Sequence, residues 1–176
     1  MKIALYAGSF NPFTVGHMSI LRRGLQLFDR VVVMVGVNSE KRTDTTNIDD
    51  LRQKLEQIPG VEVLSWSGLT VDAAAEVGAK WLLRGVRSVA DYEYERNLAD
   101  INKAISGLDT VILFAEPEMS MVSSSMVREL QRYGRDVSDF VFCLIFENRK
   151  CNEKIIYTCC DCVAECILAC SATDVD

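Results

Sequence analysis

The chain has 176 residues, with 19 Lys plus Arg against 25 Asp plus Glu, a net charge of −6, and 49% hydrophobic residues. That length suits one compact domain that needs no structural metal or disulfide to fold, and the composition excludes a disordered or fibrous protein. An acidic chain without a basic run also argues against broad nucleic-acid binding.

Elements alternate along the body. Lys2–Ala7 is an apolar strand ended by Gly8, and the Gly-Ser-Phe-Asn-Pro after it is unlike a signal-peptide cleavage region. A helix follows over about Gly16–Phe28, with Ile20, Leu21, Leu25 and Phe28 on one face. Val31–Val37 is a β-branched run, the pattern of a strand buried on both sides. Asn47–Gln57 reads as a helix, Val61–Leu64 as a strand, and Thr70–Val77 as a helix closed by Gly78. Trp81–Leu83 is the fourth strand, Val89–Ile105 a long helix, Thr110–Ala115 the fifth strand and Ser123–Tyr133 a helix. This order predicts an α/β fold: a Rossmann-like, five-stranded parallel sheet with helices on both faces, in a single domain. Ligands of such sheets gather at the carboxyl ends of the strands.

The loop after the first strand, Gly8-Ser-Phe-Asn-Pro-Phe-Thr-Val-Gly-His17, is the richest segment. Its glycines allow close backbone approach, and the helix starting near Gly16 aims free N–H groups at the same space. His17, the chain's one histidine, stands in that first turn, where it can donate to a phosphate oxygen. A plain capping turn with an incidental histidine is the competing reading. The Thr-x-Gly-His spacing at a first βα turn favours the phosphate.

Gly8–His17 resembles the signature of the nucleotidylyltransferase superfamily. Arg84-Gly-Val-Arg-Ser-Val-Ala-Asp-Tyr-Glu-Tyr-Glu95 and Val122-Ser-Ser-Ser-Met-Val-Arg-Glu129 narrow the resemblance to bacterial phosphopantetheine adenylyltransferases, over roughly residues 1–141. The resemblance implies transfer of the adenylyl group of ATP to 4′-phosphopantetheine, giving dephospho-coenzyme A and pyrophosphate, with Mg²⁺ and without a covalent intermediate. It implies that His17 stabilises charge at the α-phosphate, that Ser9 orients the attacking phosphate, and that Lys41 and Arg84 hold the acceptor's phosphate. Thr70 and Asn102 fall at positions on the pantetheine side. Ser9, Phe10, His17, Gly85, Val86, Arg87 and Glu95 match ATP-contacting segments, as do Met119, Ser120, Met121, Val122, Ser123, Ser124 and Ser125; no residue is expected to ligate a metal. Read without the resemblance, Arg84 and Arg87 are ion-pair partners of Asp91 and Glu95, a serine at 123 or 124 is a helix N-cap, Phe10 belongs to the core and Tyr92 and Tyr94 are packing residues. Met119 departs from the tryptophan the family often has before the serines. The resemblance further implies a homo-oligomer, a hexamer. The sequence predicts a cytoplasmic enzyme that binds neither nucleic acid nor membrane. A nicotinate mononucleotide or glycerol 3-phosphate acceptor, and a nucleotide- or metal-binding regulatory protein, are the alternatives. The Arg84–Glu95 segment and the His17, Lys41 and Arg84 set speak against them.

Residues 142–176 read as an atypical Cys-rich tail. All seven cysteines lie there, at 143, 151, 159, 160, 162, 166 and 170. Ile155–Ala172 is interrupted by Asp161 and Glu165, too short and too charged for a bilayer span. Cys159, Cys162, Cys166 and Cys170 share one helical face, which favours an apolar stripe over a zinc site, because no histidine or second spaced pair follows.

Overall fold

A computed structural model describes residues 1–37 and 48–142, and the backbone of 145–147 and 154–156. Lys41 and all seven cysteines lie outside the described residues. The chain forms two compact units, Met1–Val141 and Phe142–Asp176.

In the first unit, strands β1 (Ile3–Gly8), β2 (Arg30–Gly36), β3 (Val61–Trp66), β4 (Trp81–Val86) and β5 (Asp109–Phe114) form one parallel sheet in the order β3-β2-β1-β4-β5. Val31, Val32, Val33, Met34 and Val35 are all buried, as their continuous apolar run predicted for a strand covered on both faces. The helices are α1 (Val15–Gly24), α2 (Ile48–Leu55), α3 (Thr70–Glu76), α4 (Val89–Ser106) and α5 (Ser124–Arg132). The chain winds outward from β1 to β3 and then returns to lay β4 beside β1. That reversal creates a crevice at the carboxyl ends of β1 and β4.

Side chains alternate across each strand, so neighbouring residues of β4 serve opposite faces. Leu82 packs with Leu5, Val32 and the α3 residues Val71, Ala73 and Ala74. Leu83 and Gly85 face α1. A Cβ on Gly85 would stand 2.8 Å from Ile20, and one on Gly24 would collide with Leu83, so two glycines let α1 lie tightly on β4.

Several boundaries differ from those the sequence predicts, most by one or two residues. The fourth strand continues through Arg84, Gly85 and Val86, because β5 pairs with it as far as Val86 opposite Phe114. The third strand likewise runs on to Trp66, paired with Gly36. The first helix stops at Gly24, with Leu25 as its C-cap. In the second unit, β6 (Ile145–Glu147) and β7 (Lys154–Ile156) form an antiparallel ladder, Ile145 opposite Ile156. Among the described residues no helix is long and apolar enough to cross a membrane.

Candidate active site

The first turn of α1 fixes its histidine. Thr14 is the N-cap, and its hydroxyl accepts from the His17 backbone N–H at 3.4 Å. In return, the Thr14 backbone N–H donates to His17 Nδ1 at 3.0 Å, with Thr14 Oγ1 3.1 Å from the same nitrogen. A ring nitrogen that accepts a backbone N–H carries no proton, so this network assigns the proton to Nε2. The rings of Phe10, Phe13 and Tyr6 surround the imidazole at 5.1, 5.3 and 6.5 Å. Burial, reinforced by the charges of Arg87 and Arg84, lowers the His17 pKa to about 4. At neutral pH His17 is therefore an uncharged donor.

His17 lines a cavity of about 310 Å³, within the size range of small-molecule sites. Ser9, Gly85, Arg87, Glu95, Met119, Val122, Ser123, Ser124 and Ser125 line it too, so the three sequence segments converge on one space. Phe10, Val86, Ser120 and Met121 are not among its lining residues. Phe10 is buried at φ 45°, packed edge-on to Tyr6 and His17, as the core reading of that residue has it. Val86 is fully buried, Met121 is exposed, and the Ser120 hydroxyl donates to Pro117 O at 2.8 Å.

The three serines differ in their bonds. Ser123 is the N-cap of α5, accepting from Met126 N–H at 3.1 Å. Ser124 Oγ donates to Pro12 O at 2.8 Å, tying α5 to the loop after β1. Ser125 Oγ accepts from Arg128 Nη2 at 3.1 Å, while Arg128 Nη1 donates to Asn11 O. The first-turn amides of α5 lack intrahelical carbonyl partners and suit an anion beside them. Arg128 lines the cavity and brings a cation that the sequence reading quoted without a role. Its position one turn beyond the serines was the available signal. Tyr6, Thr14, Gly16, Ile20, Asp91 and Ala115 complete the lining.

A second, narrower cavity of about 90 Å³ is lined by Ala7, Thr70, Leu82, Arg84, Glu95, Leu98, Ala99, Asn102 and Thr110. It gathers Thr70, Arg84 and Asn102, the residues expected on the acceptor side. Glu95 lines both cavities. Arg84 Nε donates to Glu95 Oε2 at 2.7 Å, Nη2 donates to Oε1, and Nη1 donates to Ala7 O. Arg87 Nε and the Arg87 backbone N–H each donate to Asp91 Oδ2 at 3.1 Å. Both ion pairs of the plainer reading are thus present. Tyr92 stacks on Phe114 with centroids 6.4 Å apart, a packing contact as expected. Among the described residues, no group of three or more His, Cys, Asp and Glu side chains converges to hold a metal ion.

A family model described as cytidylyltransferase-like matches residues 5–130. A phosphopantetheine adenylyltransferase of Porphyromonas gingivalis is 49% identical over 147 residues, covering 80% of this chain and 94% of the relative. The chain belongs to the phosphopantetheine adenylyltransferase family. A Bacteroides thetaiotaomicron member of that family is 40% identical over 144 residues, with 80% of this chain and 95% of the relative covered. Among solved structures, a Vibrio parahaemolyticus protein described as a nicotinate-nucleotide adenylyltransferase superposes with a TM-score of 0.56 at 20% identity, over 80% of this chain and 94% of that one. That likeness shows the shared parallel-sheet fold. Membership of the phosphopantetheine adenylyltransferase family makes the chain a nucleotidyltransferase enzyme, and the regulatory-protein alternative falls.

Proposed function

We propose that the enzyme transfers the adenylyl group of ATP to 4′-phosphopantetheine, yielding dephospho-coenzyme A and pyrophosphate in coenzyme A biosynthesis. The observation that carries this reading is a pair of cavities that share Glu95 in their lining: one rich in phosphate donors, and a narrower one beside Arg84. ATP takes the larger cavity, with its β- and γ-phosphates toward the α5 N-terminus, Arg87 and Arg128. The acceptor takes the smaller one, its pantetheine chain along Leu82, Leu98, Thr70 and Asn102 and its phosphate toward Arg84; the resemblance gives Lys41, outside the described residues, the same task. An oxygen of that phosphate attacks the α-phosphorus in line, and the bond to the pyrophosphate leaving group breaks. His17 Nε2–H donates to the α-phosphate as negative charge builds there, and Ser9 orients the attacking group. The reaction needs placement and charge stabilisation rather than a nucleophilic side chain.

Mg²⁺ fits this site as a companion of the triphosphate. The cavity carboxylates, Asp91 and Glu95, are both engaged by arginines, whereas Mg²⁺ prefers phosphate oxygens and water. Bound there, it neutralises phosphate charge. We further assign a cytoplasmic location and a homohexamer on family grounds. An 18-residue α4 with Glu95 as its one buried residue, leaving Tyr94, Ile101 and Ile105 exposed, supports self-association. Incubating the protein with ATP, Mg²⁺ and phosphopantetheine, nicotinate mononucleotide or glycerol 3-phosphate in turn, and measuring pyrophosphate, tests the reading. Release with phosphopantetheine alone is expected, and preference for another acceptor overturns it.

A further inference from the structure

We propose that the Thr110 hydroxyl is a specificity contact for the acceptor, exchanging a hydrogen bond with an amide of the pantetheine chain. The inference rests on the functional reading above and adds to it a residue that the family resemblance leaves without a role.

β5 pairs with β4 so that Thr110 stands opposite Leu82. Paired residues share a face of the sheet, and Leu82 belongs to the apolar cluster with Leu5, Ala7, Val32, Val71, Ala73 and Ala74. Thr110 thus brings a hydroxyl to a place where valine would fill the same space without a polar atom. Its Oγ1 is shielded from solvent and has no hydrogen-bond partner among the described residues. Such a group costs the folded chain stability until something bonds it. Ser19 Oγ, Arg30 Nε and Trp66 Nε1 are unpartnered in the same way. Those three residues line neither cavity, whereas Thr110 lines the narrower one with Thr70, Arg84 and Asn102. That coincidence points to a ligand.

The rung of Thr110 and Leu82 lies two residues before Arg84 along β4, a rise of roughly 6–7 Å. A molecule whose phosphate is held by Arg84 therefore offers its chain, and not its phosphate, to Thr110. Pantetheine carries amides along that chain, and a hydroxyl can donate to an amide C=O or accept from its N–H. Thr110 is half-buried, and one step about χ1 exchanges its hydroxyl and methyl between staggered positions, which turns Oγ1 to the ligand. A site built to bond such a group discriminates against acceptors that lack it.

The test uses the full chain as wild type, Thr110→Val, Thr110→Ser and Thr110→Ala. KM is measured for phosphopantetheine and ATP, with calorimetric titration of phosphopantetheine and thermal unfolding without ligand. Thr110→Val closely keeps the shape and removes the hydroxyl. It is expected to raise the acceptor KM and Kd by about five- to tenfold while the ATP KM stays within about twofold. Its ligand-free Tm should hold or rise, because an unpaired buried group is gone. A hydroxyl with a structural task predicts the reverse, a lower Tm and similar losses for both substrates. Thr110→Ser keeps the hydroxyl and is expected to bind the acceptor within about threefold of wild type. An unchanged acceptor KM in Thr110→Val overturns the proposal, as does an equal rise in both KM values. A Tm lowered by more than about 3 °C also overturns it. Should Thr110→Val not fold, Thr110→Ser against Thr110→Ala isolates the same hydroxyl, and equal acceptor KM values in that pair overturn it. An unchanged Thr110→Val beside an active wild type sinks this proposal alone. Wild-type protein that binds phosphopantetheine without turnover sinks the functional reading alone, and the titration still decides Thr110. Wild-type protein that does not bind phosphopantetheine overturns both.

Discussion

Replacing His17 with Asn separates its two tasks. The Asn Oδ1 can accept the Thr14 backbone N–H as Nδ1 does now, at 3.0 Å, so the start of α1 is kept. The Nε2–H donor is lost. Removing one donor aimed at developing oxyanion charge lowers kcat about 10²–10³-fold, or about 3–4 kcal/mol. The ATP KM should stay within about threefold, because the interaction is made chiefly in the transition state. A second readout comes from pH. The folded chain keeps His17 neutral down to a pKa of about 4, whereas the unfolded chain protonates it near 6.5. Between these values the unfolded state binds more protons, so stability is full above pH 6.5 and falls as the pH drops towards 4, by about 3 kcal/mol in all. The Asn variant cannot titrate there and lacks this loss. Urea unfolding of both proteins at pH 7 and pH 4, with pyrophosphate release at pH 7.5, measures both effects. Near-normal turnover in the variant refutes the donor role. An identical acid loss in both proteins refutes the buried neutral imidazole.

Lys41→Ala and Arg84→Ala should each raise the Kd for phosphopantetheine more than that for ATP in calorimetric titration, and equal losses would contradict the division between the cavities. Arg84→Ala should also lower stability by about 3–5 kcal/mol, since it leaves the buried Glu95 carboxylate without its partner; thermal unfolding reads this. Gly24→Ala drives a methyl into the fully buried Leu83 and should lower stability by about 1–3 kcal/mol on thermal unfolding, with kcat affected less than in the His17 variant. Ending the chain after Val141 should keep adenylyl transfer, whereas ending it before Phe140 should destabilise α1, because Val15 N–H donates to Phe140 O at 3.0 Å; stoichiometric zinc in the full-length protein would contradict a tail dispensable for chemistry.

The sheet was legible because buried parallel strands need continuous apolar runs, and Val31–Val35 supplies one. The end of β4 was hidden for a physical reason. Arg84 and Gly85 look like strand breakers alone, yet Glu95 satisfies the first and Ile20 fills the space beside the second. Both partners are distant in sequence. His17 stood out by motif spacing, and the serines by the family resemblance. The tautomer was not, since it depends on a backbone N–H of Thr14 that only the helix start brings to Nδ1. Arg84 and Glu95 were each legible, but as an ion pair or as separate contacts. Their meeting between two cavities required the packing of α4 on β4.

The central claim is that the acceptor's own phosphate attacks the α-phosphorus of ATP. Phosphopantetheine carrying ¹⁸O in its non-bridging phosphate oxygens tests it most directly, with both products weighed by mass spectrometry after a single turnover. The account predicts dephospho-coenzyme A that keeps all of the label and pyrophosphate that has none. Label in the pyrophosphate, or ATP cleavage without a labelled dephospho-coenzyme A, would contradict it.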